Sequence, residues 1–438
     1  MVKRDNASPH SDTYQQSLDY LYGLEKFGMI FGLTQVQKIL EAVGSPHREI
    51  PAIHIGGTNG KGSTSAMVAS VLQKEAYRVG LYTSPHLLRF TERIKINGEE
   101  IDEGEVASLA GWMRERIEAA GITGPFTFFD FTTAMALLHF KQKMVDLAVL
   151  EVGLGGRLDS TNVVDPLVSV ITNIARDHEA VLGRSLTKIA GEKAGIIKDG
   201  RPLVTAATQP TVLRLFSRTC REKKAPFYRV GKELRFIPCG ERCFHYEGLR
   251  RKLWGVHLNL KGPHQIINAT TALGALELLE GHGYPVSHKA MLEGLMDVDW
   301  PGRLEVVSSS PRVVLDGAHN PAGARALKEA LEREFDYRRL ILLVGMMKDK
   351  DIRSVLRFLA PMADHLILTR PRTDRAATPG YLWKALGRDG QRAETVEDLG
   401  EAIERGLSIT SDGDLLCVTG SLYTVGEAKA ILHSKGAA

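Results

Sequence analysis

The run Ala52-Ile53-His54-Ile55-Gly56-Gly57-Thr58-Asn59-Gly60-Lys61-Gly62-Ser63 carries a short apolar segment into a glycine-rich turn, a lysine and a small hydroxyl. Past it, Met67, Val68, Val71 and Leu72 fall at helical spacing between Thr64 and Lys74. Strand, loop and helix in that order make a phosphate cradle. Glycines let backbone N–H groups wrap around a phosphate, and the helix start adds partial positive charge. Lys61 would reach the outer phosphates. Gly57, Thr58, Asn59, Gly60, Lys61, Gly62 and Ser63 are therefore the candidate contacts for a nucleoside triphosphate. Gly62 stands where the usual P-loop has its serine or threonine, and the first glycine sits closer to the lysine. An ordinary strand-to-helix turn is the alternative reading of this loop.

Such a loop needs a sheet behind it. Apolar runs that end in polar or glycine residues recur at Val79 to Tyr82, Leu147 to Leu150, Val168 to Ile171 and Leu203 to Ala206, with helical patterns between several of them. Strands alternating with helices imply a mostly parallel sheet covered on both faces, with the functional loops at the C-terminal strand ends. Ser17 to Val43 reads as helices broken near Gly28 and Gly32. Phe227 to Gly262 is rich in short β-like pieces and reads as antiparallel hairpins at the sheet edge. Helical periodicity resumes at Gln265 to Leu279. Asp299-Trp300-Pro301-Gly302-Arg303 then interrupts the pattern like a linker. Beyond it Val313 to Leu315, Leu340 to Val344, His365 to Thr369 and Leu415 to Thr419 start a second βα series. The expectation is an α/β chain. A P-loop parallel-sheet domain with an edge hairpin region spans 1–298, a linker spans 299–304, and a smaller Rossmann-like domain spans 305–438.

Composition narrows the partners. A length of 438 residues suits two domains, and 43% hydrophobic content suits a sizeable core. The net charge of +4 is unclustered, which gives no case for nucleic acid and is compatible with anionic small substrates. Cys220, Cys239, Cys243 and Cys417 are too few for a disulfide framework. Cys239 and Cys243 near His245 lack a second half with zinc spacing and read as two thiols on a hairpin. Met1 to Gln16 is polar, unlike a secretory signal, and no apolar run approaches a membrane span. The expected compartment is the cytoplasm.

Further chemistry-bearing residues fall just after predicted strands. Glu151 ends the run Leu147 to Leu150, where a P-loop protein places its magnesium carboxylate. Ser84, in Thr83-Ser84-Pro85-His86-Leu87, and His178, after Thr172-Asn173-Ile174 and beside Asp177, fall on the same predicted edge. Each has a plainer alternative. Glu151 could be a surface carboxylate, Ser84 could start the turn at Pro85, and histidine is an uncommon magnesium ligand. Arg303 lies in the linker, where its planar fork could reach a γ-phosphate only when the domains close.

Together with the loop, several stretches resemble the Mur-ligase superfamily over nearly the full length, most closely its folate branch, the folylpolyglutamate synthases and dihydrofolate synthases. They are Thr83 to Leu87, Glu151-Val152-Gly153-Leu154-Gly155-Gly156-Arg157-Leu158-Asp159, Asp177-His178, Glu192-Lys193-Ala194-Gly195-Ile196, Gly262 to Asn268, Pro301-Gly302-Arg303-Leu304-Glu305 and Leu315-Asp316-Gly317-Ala318-His319-Asn320-Pro321. The resemblance implies two magnesium ions around ATP, held by Ser84, Glu151, His178 and a carbamylated Lys193. Carbamylation needs a neutral amine, hence a lowered lysine pKa; a solvent-facing lysine is the alternative. It also implies ATP contacts from Asn268, Arg303 and Asp316, and catalytic roles for Lys61, Lys193, Arg303 and His319. His319 could instead serve local hydrogen bonding in its turn. Thr127-Phe128-Phe129-Asp130 and Leu158-Asp159-Ser160 match stretches that cradle dihydropteroate, although Phe128 and Phe129 could equally be core. The chain departs from the family at Met29-Ile30-Phe31, where a lysine–proline pair is common, and at Ala175-Arg176.

The implied reaction is ATP-dependent joining of L-glutamate to a pterin carboxylate through an acyl phosphate, in a cytoplasmic enzyme expected to be a monomer. Dihydropteroate, reduced folates or both remain open as acceptors, with a bifunctional enzyme favoured by the pterin-loop match. A Mur-type cell-wall ligase is a second enzyme reading, although little room precedes the P-loop for its nucleotide-sugar domain. A nucleotide-gated binding protein is the non-enzyme reading, and it would not need Lys193, Arg303 and His319 together.

Overall fold

The computed structural model describes residues 13–28, 32–387 and 393–434. The departure at Met29-Ile30-Phe31 and residues 1–12 of the polar N-terminal stretch lie outside the described residues.

The first lobe is built on eight strands. In chain order they are β1 (Ala52–Gly56), β2 (Val79–Tyr82), β3 (Ile94–Ile96), β4 (Glu99–Glu100), β5 (Leu147–Glu151), β6 (Val168–Ile171), β7 (Leu203–Thr205) and β8 (Phe227–Arg229). Their spatial order is β4-β3-β2-β5-β1-β6-β7-β8. From β2 to β8 every neighbouring pair is parallel, as the alternation of strand and helix requires. The register is what places the chemistry. Ile55 lies opposite Glu151 on one side and Val170 on the other, so the ends of β1, β5 and β6 open on one edge.

Strand β1 is buried on both faces, which is why it reads as an uninterrupted apolar run. Ile53 and Ile55 pack with Met67, Val68 and Leu72 of the helix Lys61–Lys74 and with Leu273 and Leu276 of the helix Pro263–Leu279. Ala52, from the other face, packs with Phe131 and Met135 of the helix Phe128–Gln142. The helices Tyr14–Gly23 and Thr34–Ala42 add Leu21, Ile39 and Leu40 to that second layer.

Three features refine the reading of the sequence. Strands β3 and β4 form an antiparallel extension that it did not anticipate. Phe227–Arg229 continues the parallel sheet as its edge strand. The antiparallel hairpins beyond it, β9 (Arg235–Gly240), β10 (Cys243–Glu247) and β11 (Lys252–His257), make a three-stranded sheet of their own. Phe244, Tyr246, Leu253 and Val256 from that sheet join the core beneath Pro263–Leu279. Cys239 and Cys243 are free thiols beside its first turn, and His245 Nδ1 accepts from the Gly255 amide at 3.0 Å.

After the helix His288–Asp297 the chain passes through 298–304 into the second lobe. Its strands are β12 (Glu305–Ser309), β13 (Arg312–Asp316), β14 (Leu340–Gly345), β15 (His365–Thr369), β16 (Ala393–Thr395) and β17 (Leu415–Thr419). They pair in the order β12-β13-β17-β14-β15-β16, parallel except for β12. The four expected runs are the four strands from β13 to β17 other than β16. Edge strands β12 and β16 were not read from the sequence.

Candidate active site

The phosphate loop is shaped by its neighbours before any ligand arrives. Gly60, at φ +81°, heads the helix Lys61–Lys74, and a Cβ there would collide with the Asn268 side-chain oxygen. Gly57, at φ +139°, has no room for a Cβ against the Thr172 hydroxyl. Both positions need glycine for conformation and for space. Thr58 N donates to Asn173 O at 2.9 Å and Asn59 N to Asn173 Oδ1 at 3.0 Å, so the segment after β6 holds the loop in shape. The departure at Ala175 is absorbed here, its amide donating to Thr58 Oγ1 at 3.0 Å. Gly60 at the N-cap has no side chain to cap the first turn of Lys61–Lys74, which leaves its amides available to an anion. Lys61 Nζ meanwhile donates to Thr58 O at 3.2 Å.

This loop forms one wall of a cleft of about 1010 Å³ between the lobes. Ser84, Glu151, His178 and Lys193 line it together with Asn268, Arg303, Asp316 and His319. Glu151 is buried at the end of β5, where it accepts the Ser84 amide at 3.2 Å. Burial raises its pKa, against the charge of Lys61, the Ser84 N–H and the charges of Arg303 and Arg93. No lysine or arginine of the described residues pairs with it directly, so a buried carboxylate is left for a cation to satisfy. That hard oxygen donor is what magnesium prefers. His178 is held neutral, its pKa lowered to about 4 chiefly by burial, with Lys350, His319 and Lys61 adding to the effect against Asp177. A neutral imidazole is the form that ligates metals. Among the described residues no three His, Cys, Asp or Glu side chains converge into a ready-made cage.

Lys193 ends the helix Leu186–Ala194 and is buried, with Nζ donating to Gly57 O at 2.7 Å. Burial first, and then the charge of Lys61, lower its pKa to about 7. A solvent-facing lysine would keep its ordinary value; this one is part amine at neutral pH.

The second lobe supplies the facing wall. Asp316 at the end of β13 accepts the amides of Leu304 at 3.1 Å and Ala318 at 2.9 Å, which orients the linker and the following turn. Arg303 Nη1 donates to Gly302 O at 3.1 Å, and its charge reaches Glu151 and Asp316. Asn268 donates to Gln265 Oε1 at 2.9 Å and abuts Gly60. His319 Nδ1 meets Gly317 O at 2.8 Å, which turns Nε2 toward Asp177.

The pterin candidates lie elsewhere. Thr127 and Asp130 form a capping box at the start of Phe128–Gln142, and Ser160 Oγ donates to Asp130 Oδ1 at 2.7 Å. Asp159 accepts from Leu154 N at 2.8 Å and caps the turn Ser160–Val163. Phe128 is buried and stacks on Tyr22, and Phe129 stacks on Tyr82. Leu158 is half-buried. None of these seven lines the cleft described above; the Ser160–Asp130 bond ties their two segments together.

Residues the sequence did not single out complete the site. Lys350 Nζ reaches Asp177 Oδ1 at 2.6 Å and His178 Nε2 at 3.1 Å. Asn320 bonds both Asn59 and Asp177. Burial would raise the Asp177 pKa, but hydrogen bonding and charge from His319, then the charge of Lys350, hold it far below the ordinary carboxylate range.

A phosphate loop facing a second α/β lobe across a shared cleft is the architecture of a two-lobed, ATP-dependent ligase. The family model of the Mur ligase middle domain matches residues 55–276, and that of the Mur ligase glutamate ligase domain matches residues 302–422. The dihydrofolate synthase/folylpolyglutamate synthase of Bacillus subtilis is 36% identical over 426 residues, covering 95% of this chain and 98% of the relative. Mycobacterium tuberculosis folylpolyglutamate synthase complexed with ADP superposes with a TM-score of 0.89 at 33% identity, over 95% of this chain and 98% of that one. Escherichia coli FolC in complex with DHPP and ADP gives 0.88 at 32% identity, over 98% and 100%. The chain belongs to the dihydrofolate synthase/folylpolyglutamate synthase family of Mur ligases.

Proposed function

We propose that this chain joins L-glutamate to the carboxylate of dihydropteroate and to the terminal glutamate of reduced folates, converting ATP to ADP and phosphate. The observation that carries the reading is the meeting of Lys61, Glu151 and Lys193 from one lobe with Arg303 and His319 from the other around a single cleft. Relatives named for both activities support the dual assignment.

An acceptor carboxylate oxygen attacks the γ-phosphorus, ADP leaves, and an acyl phosphate results. The glutamate amine then attacks the acyl carbon, phosphate leaves, and the amine proton is lost. The first step sets like charges together, a repulsion of ~4 kcal/mol at 4 Å and an effective dielectric of about 20. Lys61 and Arg303 offset it and stabilise charge as it shifts. His319 stands on the facing wall, where the amine would arrive. Closure of the lobes excludes the water that would hydrolyse the acyl phosphate.

Ser84, Glu151 and His178, with Lys193 as its carbamate, would hold two magnesium ions. Bound magnesium supplies Lewis-acid stabilisation of the phosphoryl oxygens. Gly57 to Ser63, Asn268 and Asp316 would contact ATP, and the Thr127–Asp130 and Leu158–Ser160 segments would cradle the pterin. The same reading divides the chain into 1–298, 299–304 and 305–438, and expects a cytoplasmic monomer. Among the described residues no helix is long and apolar enough to cross a membrane.

The test is glutamate-dependent phosphate release with dihydropteroate and, separately, with tetrahydrofolate. Release with both is expected. Activity on only one acceptor refutes the dual assignment.

A further inference from the structure

The two walls of the cleft are tied together by side chains that phosphate binding does not require. Asp177 belongs to the first lobe, just beyond β6. Its Oδ1 accepts from Lys350 Nζ at 2.6 Å, its Oδ2 accepts from Asn320 Nδ2 at 2.9 Å, and His319 Nε2 stands 3.3 Å from Oδ2. All three partners come from the second lobe. One carboxylate thus gathers three groups across the gap.

The Asp177–Lys350 pair is enclosed, each side chain being 8% exposed. A buried pair of this kind is costly to break from one side, because the remaining charge is stranded. Lys350 also starts from a fixed base. Its loop, between β14 and the helix Ile352–Leu359, is pinned where Lys348 N donates to Arg375 O at 2.9 Å and where Met347 bridges to Ala376. The lysine therefore holds Asp177 in one place, and Asp177 sets the direction of the His319 ring, whose other nitrogen is fixed by Gly317 O at 2.8 Å.

We propose that Lys350 is a positioning residue for the ligation: through Asp177 it fixes the His319 imidazole on the facing wall when the lobes close. The proposal rests on the function assigned above. It makes the effect of Lys350 depend on Asp177; Lys350 Nζ also stands 3.1 Å from His178 Nε2, and single-variant effects that multiply would place its role there instead.

The experiment compares Lys350→Met, Lys350→Arg, Asp177→Asn and the Lys350→Met/Asp177→Asn double variant. Expected for Lys350→Met is a glutamate-dependent kcat lower by about tenfold or more, with ADP affinity and glutamate KM changed by less than about threefold. Lys350→Arg restores part of the rate, because it can still reach Asp177. The double variant is no slower than the slower single, as residues acting in one chain require. In the ligand-free protein the His319 ring resonance, identified by its loss in His319→Gln, shifts in Lys350→Met. That last readout separates the two ideas: an enzyme with no glutamate-dependent turnover refutes the functional reading, while the ring signal still tests the coupling. An unchanged kcat, an unmoved ring signal or multiplying single-variant effects overturn the proposal. So does a large rise in glutamate KM at constant kcat, which would make Lys350 a glutamate ligand instead. Should Lys350→Met fail to fold, Lys350→Arg and Asp177→Asn carry the same comparison.

Discussion

Asn59 in the phosphate loop and Asn320 at the head of the second lobe's first helix exchange side-chain amides. Asn59 Nδ2 donates to Asn320 Oδ1 at 3.1 Å, and Asn320 Nδ2 donates to Asn59 Oδ1 at 2.8 Å. The loop that would hold the triphosphate is therefore bonded directly to the lobe that would deliver the second substrate. The second lobe thereby adds a contact to a loop that Thr172 and Asn173 already hold.

Asn320 also caps its own helix, Pro321–Glu334, by accepting the Gly323 amide at 2.8 Å. Two substitutions separate its roles. Asn320→Ala removes the cap, worth about 1 kcal/mol, as well as the bonds between lobes. Asn320→Ser can still cap but is too short to reach Asn59. Urea unfolding should show Asn320→Ala destabilised by about 1–3 kcal/mol and Asn320→Ser by less. Both should weaken ATP binding, measured by calorimetry. If Asn320→Ser binds ATP as the parent does, the pair plays no part in forming the loop.

Among the described residues the Lys61 ammonium makes one hydrogen bond, at 3.2 Å to Thr58 O, so its removal should be structurally mild. Lys61→Ala is expected to change the unfolding free energy by less than about 1 kcal/mol. Its effect on glutamate-dependent phosphate release should be a loss of about a hundredfold to a thousandfold, as for other charge-stabilising donors. A full rate in this variant removes the loop lysine from the mechanism.

Why some of this was legible and some was not follows from burial. Leu147 to Leu150 and Val168 to Ile171 lie in the middle of a sheet covered on both faces, so they had to be apolar runs, and their polar ends marked the catalytic edge. Glu99–Glu100 and Glu305–Ser309 are sheet-edge strands with exposed or half-buried side chains, and nothing in their composition separates them from loop. Phe128 and Phe129 could not be assigned from sequence because a ring serves a core and a binding shelf equally well. Lys350 sits in Lys348-Asp349-Lys350-Asp351, where the charges alternate and no position stands out. Only the fold brings it to Asp177, 173 residues away in the chain.

With its pKa lowered to about 7, Lys193 would take up carbon dioxide in a pH-dependent way, if the proposed carbamate forms. Only the neutral amine adds carbon dioxide, and the neutral fraction grows as pH rises through 7. With labelled bicarbonate, a carbamate carbon signal should be weak at pH 6 and strong at pH 8, and absent in Lys193→Arg, whose guanidinium stays protonated. A signal that is independent of pH, or that survives in Lys193→Arg, would place the carbamate elsewhere.

Acid should unfold this protein through its buried histidines. Burial lowers the His54 pKa to about 3, and lowers those of His86 and His264 to about 4. His54 is fully buried in β1, with Nε2 2.8 Å from Thr161 Oγ1 and, among the described residues, no hydrogen-bond partner for Nδ1. The sign follows from proton counting. Between the unfolded value of 6.5 and the folded value, the unfolded chain binds a proton that the native state does not, so stability falls as pH falls. For His54 the slope is ~1.4 kcal/mol per pH unit across that window. Asp177, also depressed but from an unfolded value of 3.8, contributes stability above that value and loses it only at lower pH, so it does not account for losses near pH 5. His54→Gln can still donate to Thr161 but has nothing to titrate. Its unfolding free energy should drop less than that of the parent between pH 6.5 and 4, by on the order of 2–3 kcal/mol. Parallel stability curves for the two proteins would show that His54 is not protonated on acid unfolding and that the acid sensitivity lies with His86, His264 or the carboxylates.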